Sequence, residues 1–261
     1  MSRAELILNR ILFASDTIQL GEEALHAAAE MASQLQAELA GLFIEGTNLL
    51  RLAGLPFAQE ICSSSAIQRP LDVASMERTL REKAAEMRDA VASIAQRQNV
   101  PWSFGIRRGS VIHVTLAASE DADLLILARR DPHRMASRPI QGPPSERQPI
   151  LVVYDGSSGG QRALETGQFL ANERQVELIV VLSDHQADRR QLLDETRPLA
   201  GHRHLRVVVT PDSIDDVTQL IDVAASRHCG LVLINRDHRL LDADAAGQLL
   251  KGLECPLGLV R

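Results

Sequence analysis

Residues 149–165 read PILVVYDGSSGGQRALE: an apolar, β-branched run, an aspartate, a burst of glycine and serine, then residues at helical spacing. A strand that turns through glycines into a helix is the local plan of a parallel α/β sheet. It is also one way for a chain to hold a phosphate on backbone amides. The stretch has a counterpart earlier in the chain. With Asp16 placed over Asp155, an offset of 139 residues, ILFASDTIQLGEEALHAAAEMASQLQAELAGLFIE lies over ILVVYDGSSGGQRALETGQFLANERQVELIVVLSD. Ile11, Leu12, Asp16, Ala24, Leu25, Ala32, Gln36, Glu38 and Leu39 then stand over identical residues. A second alignment, offset by 107, puts LAASEDADLLILARR (116–130) over VAASRHCGLVLINRD (223–237). Two copies of one α/β unit account for both alignments.

Each copy alternates short β-branched runs with helical periodicity, the pattern of a parallel sheet covered by helices. In the second copy the pattern predicts strands at about 150–154, 177–182, 205–209, 230–234 and 257–260. Helices are predicted at about 159–172, 186–199, 214–227 and 243–252. The first copy has predicted strands near 10–14, 39–44, 102–107 and 123–128, and a long charged helix over about 72–98. Between Ala128 and Ile150 only RRDPHRMASRPIQGPPSERQP intervenes, with five prolines and little apolar periodicity. This reads as a linker, so the first copy lacks its last helix and strand. The division is therefore 1–131 for the first domain, 132–148 for the linker and 149–261 for the second domain. An added segment, GTNLLRLAGLPFAQEICSSSAIQRPLD (46–72), follows the second strand of copy one. Its aliphatic residues serve either to cover apolar surface of their own domain or to form a partner groove, and the first is the simpler expectation. With no fifth strand, the edge of strand four in copy one needs covering by the linker or by another chain.

The 261 residues suit two domains of about 130 residues each. A net charge of −6 argues against a nucleic-acid binder, which carries a basic excess. No apolar run approaches the roughly 18 residues needed to span a bilayer, and MSRAELILNRILFASD lacks a signal-peptide pattern. Cys62, Cys229 and Cys255 form no CxxC and no disulfide framework, which fits a reducing bacterial cytoplasm. Cys229 and Cys255 each precede neighbouring strands and are expected close together at one sheet edge, as small buried residues.

The run ILVVYDGS with its Ala-Leu helix, the segment AASEDADLLILARR and the closing ECPLGLVR together resemble the universal stress protein family in its tandem form. The resemblance implies two tandem Rossmann-like (adenine nucleotide alpha hydrolase-like) domains with parallel open sheets in strand order 3-2-1-4-5. It also implies a cytoplasmic stress-response protein, an intramolecular pseudo-dimer with homodimerisation open, and Asp16 and Asp155 at the position that contacts a nucleoside. The ATP-binding branch of that family has a glycine signature after strand four, where bare backbone surrounds the phosphates. Here copy one has Ala128 and copy two Asn235 in place of the first glycine, and no later glycine pair stands at the right distance. The expectation is therefore a non-enzymatic regulatory or partner-binding protein that does not hold ATP in the usual way. The alternative is a sensor that retains ATP or AMP.

Gly156, Gly159 and Gly160 follow the first strand and not the fourth, and copy one has DTIQLG there. A tight turn capped by Ser157 or Ser158 is the better reading. The candidate nucleotide or anion crevice comprises Asp16, Asp155, Gly156, Arg129, Asn235 and Arg236. Arg107, Arg108, Arg130 and Arg239 are further cations at strand ends, where a bidentate guanidinium could hold an anion. His202 and His204 with His185 and Asp184 are a weaker metal candidate than a polar loop. No Ser-His-Asp or Cys-His set has supporting context, so no catalytic residue is assigned.

Overall fold

A computed structural model describes residues 8–16, 22–61, 68–127, 148–183, 207–214 and 216–261. The chain begins β1 (Arg10–Ser15), α1 (Glu22–Leu35), β2 (Glu38–Gly46), α2 (Thr47–Ala53), β3 (Gln59–Ile61), β4 (Gln68–Pro70) and α3 (Val73–Gln98). It continues through β5 (Trp102–Gly109), α4 (Val111–Ala118), β6 (Leu124–Leu127), β7 (Ile150–Tyr154), α5 (Ser158–Arg174) and β8 (Leu178–Leu182). Last come β9 (Val207–Ser213), α6 (Val217–Ser226), β10 (Leu231–Asn235), α7 (Ala243–Gly252) and β11 (Leu257–Val260). The helix expected over 186–199 and the candidate metal residues Asp184, His185, His202 and His204 lie outside the described residues, as does most of the linker.

Nine strands form one sheet in the order β5-β2-β1-β6-β11-β10-β7-β8-β9. The second half has the order 3-2-1-4-5, and the first has 3-2-1-4. Within each half all neighbours are parallel; the halves meet where β11 runs antiparallel to β6, with Gly258 opposite Ile126. The edge of β6 is thus covered by the last strand of copy two, not by the linker or a second chain as the sequence led us to expect. One strand serves as the fifth strand of both halves, parallel to β10 and antiparallel to β6. The helix before it is shared as well: α7 packs on α6, where Gly252 meets Ile221, and on α4, where Gly247 meets Ile112.

Central strands such as β7 (ILVVY) and β8 (LIVVL) are buried throughout, as expected for a sheet covered on both faces. Alternate residues supply two cores. Ile11, Phe13, Val152 and Val180 face one layer with residues of α1, α3 and α5; Leu12, Ala14, Val153 and Val181 face the other, with residues of α6 and α7. The repeat extends to local geometry. Gln36 after α1 and Gln175 after α5, aligned in sequence, both adopt φ 54°. In each case the next amide returns to the helix, Ala37 to Ala32 and Val176 to Ala171, both at 2.9 Å.

The added segment is a short helix and a hairpin, β3 pairing antiparallel with β4. It covers part of its own domain and leaves other apolar residues exposed. Ala53 is buried and Leu50 packs on the core, while Phe57 is 76% exposed and Leu52, Leu55 and Val73 are also exposed. Cys229 and Cys255 sit at the same amino-terminal edge, since Val232 is opposite Leu257 in parallel register. Burial pushes both thiols up to about 12, and the neighbouring Cys229 raises Cys255 further.

Candidate functional site

The default ligand crevice of an open parallel sheet lies outside the carboxyl ends of its strands, where the order reverses. In copy two this is the gap between the ends of β7 and β10. The β7–α5 turn is built by its own side chains. Gly156 takes φ 75°, a conformation that favours glycine. Asp155 Oδ1 accepts from the Ser157 amide at 3.0 Å and the Ser157 hydroxyl at 2.6 Å, and Ser157 Oγ accepts from the Gly160 amide at 2.9 Å. Ser157 is the N-cap; Gly156 belongs to the connecting turn, whereas Gly159 and Gly160 lie in the first turn of α5.

Across the gap, the segment after β10 closes on this turn. The Asn235 side chain lies against Gly159 so closely that a Cβ there would collide with it. The amides of this segment are already engaged. Arg236 donates to the Val260 carbonyl at 2.9 Å, Asp237 to Asn235 Oδ1 at 3.2 Å and His238 to the Asn235 carbonyl at 3.0 Å. Leu240 donates to His238 Nδ1 at 3.1 Å, and Leu241 to the His238 carbonyl at 2.9 Å. A phosphate cradle needs N–H groups aimed outward; here five are turned inward.

His238 is 4% exposed. Because Nδ1 accepts from Leu240, the neutral ring carries its proton on Nε2. That nitrogen has no hydrogen-bond partner and faces Asp155 Oδ2 at 3.9 Å. Burial lowers the His238 pKa; the Asp155 charge opposes this, and the Arg239 charge adds to it. With Nε2 protonated and Nδ1 accepting, the ring is not set to ligate a metal.

The structure thus brings together Asp155, Gly156 and Asn235, and adds His238, which sequence reasoning passed over because histidine is not among the usual capping residues. Arg236 turns away: it donates to the Ser119 carbonyl of the other half at 3.3 Å and pairs with Asp237 at 3.5 Å. Arg239 donates to Ser183 Oγ and the Ile214 carbonyl, both at 3.4 Å. In copy one, Arg108 pairs with buried Glu45 at 2.8 Å and with Glu77 at 3.5 Å, and this pairing holds its pKa above the ordinary value. Arg108 therefore braces β5 against β2 and α3, while Arg107 is exposed. Asp16 lies half-buried at the end of β1. Arg129 and Arg130 lie outside the described residues. Since the two halves run in opposite directions, Asp16 and Asp155 stand at opposite edges of the sheet and cannot share a ligand.

No protein-family model and no curated protein matches the chain. Solved structures do. A universal stress protein from Archaeoglobus fulgidus DSM 4304 is similar over 97% of this chain and 96% of its own, with TM-score 0.60 and 14% identity. A protein of the universal stress protein family from Burkholderia pseudomallei, 21% identical, matches 44% of this chain and 96% of its own at TM-score 0.31. A universal stress protein in complex with cAMP, 19% identical, matches the same shares at TM-score 0.33. The resemblance carried by ILVVYDGS, AASEDADLLILARR and ECPLGLVR and the likeness over the whole chain agree: this chain has the fold of the universal stress proteins.

Proposed function

We propose that the chain is a stress-response regulatory protein of the universal stress class that acts in the cytoplasm by binding a partner and catalyses no reaction. We further propose that it does not hold ATP in a glycine cradle. One observation carries the reading: five of the six amides from Arg236 to Leu241, where a phosphate cradle would lie, are spent on the protein's own carbonyls and side chains. Asn235, pressed on Gly159, fills the space beside them. Partner binding is supported by the added segment, where Leu52, Leu55 and Phe57 account for three of the five large exposed apolar residues among the described ones, with Val73 adjoining them at the start of α3. No helix among the described residues is long and apolar enough to cross a membrane.

Equilibrium binding of labelled ATP and AMP to the full chain tests this reading. The expected result is no saturable binding at micromolar nucleotide. Micromolar affinity that disappears in Asp155→Ala or Asp16→Ala overturns it in favour of a nucleotide sensor.

A further inference from the structure

A histidine caps the 3-10 turn Arg239–Leu241, with Nδ1 accepting from the Leu240 amide. Serine, aspartate and asparagine do this elsewhere without titrating near neutrality. An imidazolium has two N–H donors and no acceptor. Protonation therefore sets Nδ1–H against the Leu240 N–H at 3.1 Å, donor against donor, and this bond cannot survive. At the other end of the ring, Nε2 makes no hydrogen bond and faces Asp155 Oδ2 at 3.9 Å.

We propose that His238 is an acid-released cap: protonation breaks its bond to Leu240 and loosens the Arg239–Leu241 turn beside the crevice at the end of β7. Asp155 faces it from the β7–α5 turn, and Arg239 lies beside it in its own turn, tied to Ser183 and Ile214 at the ends of β8 and β9. The first turn of α5 presents Gly159 and Gly160, and β10 presents Asn235, none of which titrates. The neighbours do not replace the lost acceptor. Asp155 Oδ1 is held by Ser157, and Oδ2 lies toward Nε2 rather than Nδ1. Leu240 and Leu241, both buried on the core, are the residues such a release uncovers.

The sign follows from burial. The folded-state value of His238 lies below the ordinary imidazole value of about 6.5, so the capped state is complete above that pH and is lost as the solution is acidified through the lower folded value. The inference uses only this local geometry and stands whether or not a nucleotide binds.

Amide exchange and imidazole titration by NMR on the full chain test it. The Leu240 amide shift and the His238 ring are expected to titrate with one midpoint. Leu240 protection, corrected for intrinsic rates, should fall about tenfold, the equivalent of one hydrogen bond, while β7 and β10 amides stay protected. In His238→Gln, whose side-chain oxygen accepts but does not titrate, Leu240 protection should be independent of pH. The proposal is overturned if His238 titrates without any response at Leu240. It also fails if Leu240 loses protection only when the whole sheet does, or if the glutamine variant keeps the pH dependence.

Discussion

Gln36 and Gln175 show how far the duplication reaches. Each ends its helix in the left-handed region with φ 54°, and each is followed by an amide that returns to the helix. Asn99 after α3 and His228 after α6 end their helices the same way, with φ 53° and 51°. A side chain with a Cβ is strained in this region by roughly 1 kcal/mol, and glycine is not. Gln36 is exposed. Gln36→Gly is therefore expected to stabilise the chain by about 0.5–1 kcal/mol, read as a higher urea midpoint at unchanged slope. A lower midpoint would show that the strain is absent. The identity of these two glutamines was visible in the alignment, but their conformation was not. Pattern reading places glycine or asparagine at such a position, and only the closure of the helix end onto the next strand shows glutamine doing the same work.

At the scale of elements, β11 carries more than its four residues suggest. It is hydrogen-bonded on both sides, to β10 and to β6, and its Gly258 lies where a Cβ would collide with Leu233 and touch Leu124 of the other half at 3.5 Å. Gly258→Val inserts three carbons into this seam. Overpacking of a close-packed interior costs about 1–3 kcal/mol, and the loss is to be read in urea. A neutral result would mean that the seam is loose. Strands β1, β2, β5 to β8, β10 and β11 lie within a few residues of their predicted places, because each is a short apolar run bounded by turn residues. The sharing of β11 and α7 was not legible. Local pattern shows that copy one has run out of strands by Ala128, but hydrogen bonding between strands far apart in sequence has no local signature. The candidate crevice was half legible for the same reason. Asp155 and Asn235 stand out by their place at strand ends, whereas the inward turn of the 236–241 amides and the cap at His238 depend on how the loop folds back.

On the scale of the molecule, one sheet and two cores run through both halves. Leu124 and Ile126 of copy one share a core with Val152 and Leu233 of copy two, and Arg174 on α5 donates to the Ala27 carbonyl on α1 at 3.5 Å. Such coupling favours a single cooperative transition over separate melting of two domains. The chain supplies its own reporters: its one tryptophan, Trp102, lies on β5 in copy one, and its one tyrosine, Tyr154, on β7 in copy two. Trp102 and Tyr154 signals are expected to give coincident midpoints in urea, and Gly258→Val should move both together. Two separated midpoints would show that the halves unfold independently.

By itself the sequence determined the repeated strand–helix order, the depletion of glycine after the fourth strand of each copy, and the turn chemistry of the DGSSGG stretch. These depend on residues within a few positions of one another, where periodicity, capping and backbone freedom act directly. The tertiary structure alone decided that one terminal strand completes both half-sheets in opposite directions, that the two aspartates stand at opposite edges, and that His238 meets Asp155. Those relations join residues from about 80 to 140 positions apart. They follow from which apolar faces and strand edges find each other when the chain buries them, and short-range pattern does not carry that choice.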